Sequence, residues 1–181
     1  MTDKTLYTVT VYSENQVGLL NQISIIFTRR QLNIESLSVS ASAIEGIHKF
    51  TITTYSDRET MEKLVKQIEK RIDVLRAFFY TDDEIVFQEV ALYKVPTDKL
   101  LDDSHIEELI RRHNARILEV NRTYTVIEKS GHTDETQALF EELSRYEVMQ
   151  FVRSGRVAIT KSTVEHVSIF LQEQQYRQNQ L

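Results

Sequence analysis

Side-chain catalysis needs acids, bases, thiols or metal ligands at set spacings, and this chain has few arrangements that qualify. His105 and His113 stand eight residues apart, not at the i, i+4 spacing of a helix-borne HExxH zinc site. Asp82-Asp83-Glu84 and Asp102-Asp103 gather carboxylates without the alternating ligands and central glycine of a calcium loop, and read better as a solvated connector and a charged helix start. The absence of cysteine removes disulfides, thiolate zinc sites and thiol nucleophiles. Only four glycines occur, and none falls in a GxSxG, Walker-type or GxGxxG string. No intrinsic activity, metal or cofactor is expected on this chain. The one spacing that suggests chemistry is of a binding kind. Asn15-Gln16-Val17-Gly18-Leu19-Leu20 lies where an alternating segment hands over to a helical one, so free N–H groups at the helix start can take a carboxylate. Asn33 follows that helix. Read alone, Gly18 is equally a tight-turn glycine, and Asn33 a residue serving the helix end.

The elements that hold these residues are marked by periodicity. Leu6 to Tyr12 alternate as a strand up to the Ser13-Glu14-Asn15 turn, and Leu19, Leu20, Ile23, Ile26 and Phe27 then recur at helical spacing ahead of Arg29-Arg30. Ser36 to Ser42 alternates hydroxyl and aliphatic residues as a half-buried strand, and Glu45-Gly46 turns it into a second strand over His48 to Tyr55. Ser56 and Glu59 give a capping-box signature before Met61, Leu64, Val65, Ile68 and Ile72, and a strand over 74–80 completes β-α-β-β-α-β. After Thr81-Asp82-Asp83-Glu84 the order repeats. A strand over 86–95 is stopped by Pro96, and Ser104 with Glu107 gives a second capping-box signature. Strands over 116–120 and 123–127, a helix over 134–144 and a strand over 147–152 follow.

The expected fold class is therefore α+β, two tandem ferredoxin-like βαββαβ units. The expected division is a first domain over 1–80, a linker over 81–85, a second domain over 86–160 and a tail over 161–181, in which 163–178 reads as an amphipathic helix. This connectivity puts the strand beginning near Ile34 on a sheet edge, where it can pair with its copy in a second subunit. Asn33 would then face the Gly18 turn of the neighbour.

Composition excludes other classes. At 181 residues and 41% hydrophobic content the chain can bury two small cores. Twenty-two basic against twenty-seven acidic residues leave no surplus to displace counterions, which argues against a general binder of nucleic acid or anionic membranes. RNA-recognition modules share the βαββαβ order, but His48-Lys49-Phe50-Thr51-Ile52-Thr53-Thr54 carries one aromatic and no glycine-framed aromatic signature. No run of eighteen apolar residues and no apolar signal core occur, so an untargeted cytoplasmic chain without a membrane partner is expected.

The stretch NQVGLLNQISIIFTRRQLNIESLSVS resembles the N-terminal ACT domain of the regulatory small subunits of acetohydroxyacid synthase, also called acetolactate synthase. The residues that carry the likeness are Asn15, Gly18, Leu20, Arg29-Arg30 and Asn33-Ile34-Glu35-Ser36-Leu37, with Asp73-Val74-Leu75, Glu89 to Val95 and Arg153-Ser154-Gly155-Arg156-Val157-Ala158 further on. It covers about residues 5–160. Two positions depart from the pattern: Val17 stands where many relatives have proline, and Gln31 where a helix-ending glycine is usual. The second forces a residue with a Cβ into the conformation that ends the helix.

The resemblance implies a non-catalytic subunit that activates a catalytic (large) subunit carrying thiamine diphosphate, Mg and FAD, and makes it sensitive to feedback by L-valine or another branched-chain amino acid. It implies a homodimer through ACT domains, with the effector carboxylate on backbone N–H groups of Asn15, Gln16, Val17, Gly18, Leu19 and Leu20. Asn33 of the opposing chain takes the ammonium, and Ile34 belongs to the aliphatic surroundings. The alternative is an ACT-containing amino-acid sensor for another enzyme or for transcription, which leaves the likeness in the second unit unexplained.

Overall fold

The structure, a computed structural model, describes residues 4–101, 105–163, 167 and 169. Phe87–Val157 form one compact unit, and the described residues before and after that stretch form another.

The first unit runs β1 (Thr5–Glu14), α1 (Leu19–Arg29), β2 (Ser36–Ala41), β3 (Ile47–Ser56), α2 (Arg58–Ile68) and β4 (Val74–Tyr80). Its sheet is antiparallel in the order β2-β3-β1-β4, the ferredoxin-like arrangement, with β2 on an edge. Val9 pairs with Ile52 and Phe79, and Val11 with Phe50 and Ala77, so alternate residues build one apolar face. Leu19, Ile23, Ile26 and Phe27 of α1 and Met61, Leu64 and Ile68 of α2 cover that face and are buried. Their spacing of three or four residues makes each helix apolar along one stripe only. On the opposite face Thr8 pairs with Thr53 and Thr10 with Thr51, and Ser36 Oγ lies 2.7 Å from Thr53 Oγ1.

The ends of the helices differ from expectation in one case and match it in another. Ser56 is the last residue of β3, and the cap of α2 is Asp57, whose Oδ1 accepts the Thr60 N–H at 2.9 Å. A carboxylate in β conformation is the stronger acceptor, and the serine is held in the sheet. At the end of α1, Gln31 does adopt φ 55°. The Leu32 N–H reaches the Phe27 carbonyl at 3.0 Å and the Gln31 N–H the Thr28 carbonyl at 2.9 Å, a Schellman closure around a residue that is not glycine.

The remaining elements are β5 (Ile85–Pro96), α3 (Thr97–Leu101), α4 (Ile106–Arg112), β6 (Arg116–Val120), β7 (Tyr124–Gly131), α5 (Thr133–Leu143), β8 (Gln150–Arg153) and β9 (Val157–Thr160). The order β6-β7-β5-β8 repeats that of the first sheet, and β9 also pairs with β5. Tyr93 anchors this core. It is fully buried, its hydroxyl donates to the Thr136 carbonyl at 2.6 Å, and burial pushes its pKa up to about 12, so it stays a neutral donor. Glu89, also buried, accepts from Thr133 Oγ1 at 2.8 Å and faces Arg153 and Arg156 at 3.4 and 3.5 Å.

Other particulars of this half differ from the expected ones or lie outside the described residues. α3 begins at Thr97, directly after Pro96, where no helix was expected before Ser104. Proline ends the ladder but its fixed φ does not prevent a helix from starting at the next residue. Ser104, with Asp102 and Asp103, lies outside the described residues. The segment 81–85 is not a bare linker: Asp82–Glu84 form a 3₁₀ turn in which the Thr81 N–H donates to Glu84 Oε2 at 2.8 Å. Residues 158–160 group with the first unit rather than the second, because Lys49 Nζ donates to the Ala158 carbonyl and the Lys161 N–H to the Glu84 carbonyl. The expected helix over 163–178 lies almost wholly outside the described residues.

Candidate functional site

The turn into α1 is a type II β-turn. The Leu19 N–H closes on the Gln16 carbonyl at 3.3 Å, with Val17 and Gly18 at the centre and Gly18 at φ 86°, ψ −6°. That positive φ is the reason for glycine. A Cβ built on Gly18 would meet nothing within 4 Å, so within the chain the glycine is required by its φ and not by close packing. Val17 stands wholly in solvent, at the position of such a turn that favours proline.

No side chain caps α1, and its first turn carries no acidic residue, whereas Glu59 stands in the first turn of α2 and Asp134 and Glu135 in that of α5. The start of α1 is thus an electropositive end that the chain leaves uncompensated. Not every candidate donor is free. The Gln16 N–H is spent on the Glu14 carbonyl at 3.0 Å and the Leu19 N–H on Gln16, which leaves Asn15 ahead of the turn and Val17, Gly18 and Leu20 within it as the donors of the stretch that remain available. The Leu19 side chain belongs to the core, while Leu20 is 45% exposed and able to line a ligand. Beside Asn15 and Gln16, a hollow of about 470 Å³ is lined also by Glu14, Glu45, Gly46 and Ile47. It holds two carboxylates and reaches neither Gly18 nor Asn33.

Asn33 stands just past the other end of α1. Eleven residues of helix separate the two, about 16 Å at 1.5 Å per residue. One chain therefore does not bring Gly18 and Asn33 together. Asn33 is nonetheless held firmly. Its carbonyl accepts from Thr54 Oγ1 at 2.6 Å, and its Nδ2 donates to Glu35 Oε1 at 2.8 Å. Glu35 is in turn tied to β3 by its N–H, 2.9 Å from the Thr53 carbonyl. Ile34 packs against the apolar core. Glu35 and Thr54 escape the sequence reading. The available signal for Glu35 is that residues two apart in an extended segment share a side, so positions 33 and 35 reach the same space.

The counterpart of this turn in the second unit is the junction of β5 and α3, where Pro96 is followed at once by Thr97. There is no turn to present donors. Among the described residues no three His, Asp or Glu side chains converge as a metal requires, and no helix is long and apolar enough to cross a membrane. His113 is engaged with Glu142, Nε2 to Oε1 at 2.9 Å.

Residues 9–76 match the family model of the ACT domain of acetohydroxyacid synthase small subunits, and residues 88–162 that of the small subunit of acetolactate synthase. The chain is 32% identical over 169 residues to the acetolactate synthase small subunit of Bacillus subtilis, covering 91% of this chain and 95% of the relative. It is 30% identical over 157 residues to a probable acetolactate synthase small subunit of Archaeoglobus fulgidus, covering 86% of this chain and 96% of that one. The crystal structure of the small subunit from Thermotoga maritima superposes with a TM-score of 0.79 at 27% identity, over 88% of this chain and 99% of the other.

Proposed function

Because this chain belongs to the acetolactate synthase small-subunit family, we propose that it activates a thiamine-diphosphate-dependent catalytic subunit and makes it answer to a branched-chain amino acid such as valine. The observation that carries the effector reading is the turn into α1: outward N–H groups at Val17, Gly18 and Leu20, no cap, and no carboxylate in the first helical turn. Such a site prefers an anion and has room beside it for an aliphatic side chain at Leu20.

The ammonium partner must come from elsewhere, since Asn33 is a helix length away. β2 is an edge strand, and pairing it with its copy would supply Asn33 from the second chain. Binding then stiffens the contact between two chains, a two-state element on which a coupling of about 1–3 kcal/mol can act. Because the Pro96-Thr97 junction offers no comparable turn, one effector per chain is the expected stoichiometry.

Mixing tests the division of labour. Adding the chain to its catalytic partner should raise acetolactate formation, and valine should lower it only in the mixture. Equal turnover with and without this chain, across a concentration series, sinks the proposal.

A further inference from the structure

We infer that Glu35 is the counter-charge for the effector's ammonium group and the residue that aims Asn33 at it, an inference that rests on the effector reading of the α1 turn. A carboxylate only accepts hydrogen bonds, so the 2.8 Å contact between Asn33 and Glu35 Oε1 fixes which end of the Asn33 amide is engaged. Nδ2 is bound, and Oδ1 is left as an outward acceptor. An ammonium arriving there meets Oδ1 and, beside it, a full negative charge. No cation pairs with Glu35 among the described residues, and both Asn33 and Glu35 are exposed in the single chain. The backbone beneath them is fixed at two points, by Thr54 Oγ1 on the Asn33 carbonyl and by the Glu35 N–H on Thr53.

The pair thus discriminates by charge. A bare amide oxygen accepts from an α-ammonium and an α-hydroxyl alike, whereas an adjacent carboxylate favours the ammonium and leaves a neutral hydroxyl without that gain. Glu35 therefore sets the selection of amino acids over the corresponding hydroxy acids at this site.

The test uses the full chain and three probes, L-valine, 2-hydroxy-3-methylbutanoate and 3-methylbutanoate, titrated calorimetrically. Glu35→Gln keeps an acceptor oxygen toward Asn33 Nδ2, so the amide stays aimed and only the charge is lost. Valine should then bind about tenfold more weakly or worse, as expected for losing a hydrogen bond between charged groups. The hydroxy acid should bind as before, so the amino-over-hydroxy preference collapses, and Glu35→Asp should recover part of it. A merely structural role would weaken both ligands together. An unchanged valine-to-hydroxy-acid ratio in Glu35→Gln, with valine binding intact in the parent chain, overturns the role of Glu35 alone. Failure of the parent chain to bind valine, leucine or isoleucine overturns the effector site and this inference together.

Discussion

At Gln31 a side-chain-bearing residue holds φ 55°, and Asn114 does the same, φ 49°, at the end of α4. Both close Schellman motifs: the Ala115 N–H reaches the Ile110 carbonyl at 2.9 Å, as Leu32 reaches Phe27. The left-handed conformation costs a residue with a Cβ about 1–2 kcal/mol, less for asparagine, while glycine loses about 0.5–1 kcal/mol more chain entropy on folding. Gln31→Gly should therefore stabilise the chain by up to about 1 kcal/mol, or about 2–4 °C in a thermal melt, and Asn114→Gly by clearly less. A Gln31→Gly variant that melts at or below the parent would show that the Gln31 side chain makes up the difference. That Gly18 serves a tight turn and that Gln31 takes the helix-ending conformation usually given to glycine were legible in the sequence because both are local consequences of where a helix starts and stops. What spacing could not give was the fate of individual N–H groups. Leu19 and Gln16 lie in the candidate stretch by position, yet their donors are consumed by the turn that makes the stretch what it is.

Among elements, strands and helices with a sustained period were readable, and short or boundary features were not. α3 has five residues, too few for a period to show, and Ser56 and Asp57 are adjacent capping candidates between which only the end of β3 decides. The Asp57 cap has a consequence that can be measured. The Thr60 N–H, and then the Thr60 hydroxyl, hydrogen-bond the Asp57 carboxylate and hold its pKa below the ordinary 3.8. A depressed folded-state pKa means that the unfolded chain binds the proton more readily. The contribution is thus fully present above the ordinary carboxylate value and is lost as the pH falls through the lower folded value. Asparagine caps comparably without a proton to take up. The melting difference between the parent and Asp57→Asn should be flat near neutrality and shift against the parent as the pH drops from about 5 to 2. Glu142, whose pKa is lowered chiefly by its hydrogen bond from His113, titrates in both chains and cancels in the comparison. A difference that stays constant down to the acid limit would remove Asp57 as the cap.

For the whole molecule, the tandem order was legible because each half repeats the same connectivity, β2-β3-β1-β4 and then β6-β7-β5-β8. The return of residues 158–160 to the first unit was not, since it depends on contacts such as Lys49 to Ala158 between residues far apart in sequence. The proposed effector site shows the same limit in a stronger form, because Gly18 and Asn33 stand at opposite ends of α1 and a single chain does not bring them together. A site shared across a two-fold axis can be tested by mixing mutants. Gly18→Asp places a carboxylate against the incoming one; a Cβ there meets nothing within 4 Å, and aspartate visits the left-handed region at a modest cost in strain, so the fold should hold at somewhat lower stability. Asn33→Ala removes the acceptor for the ammonium and should weaken valine about ten- to hundredfold. Each variant alone should still activate the catalytic subunit while losing valine inhibition. Refolded together, they should form mixed dimers in which one site carries both changes and the other carries neither. With random pairing, about a quarter of all sites regain the native pair, and high-affinity valine binding returns at that stoichiometry. If Gly18 and Asn33 instead served the same site within one chain, mixing would restore nothing. Calorimetric titration of the mixture therefore separates a shared site from two independent ones, whatever the holoenzyme's activity does.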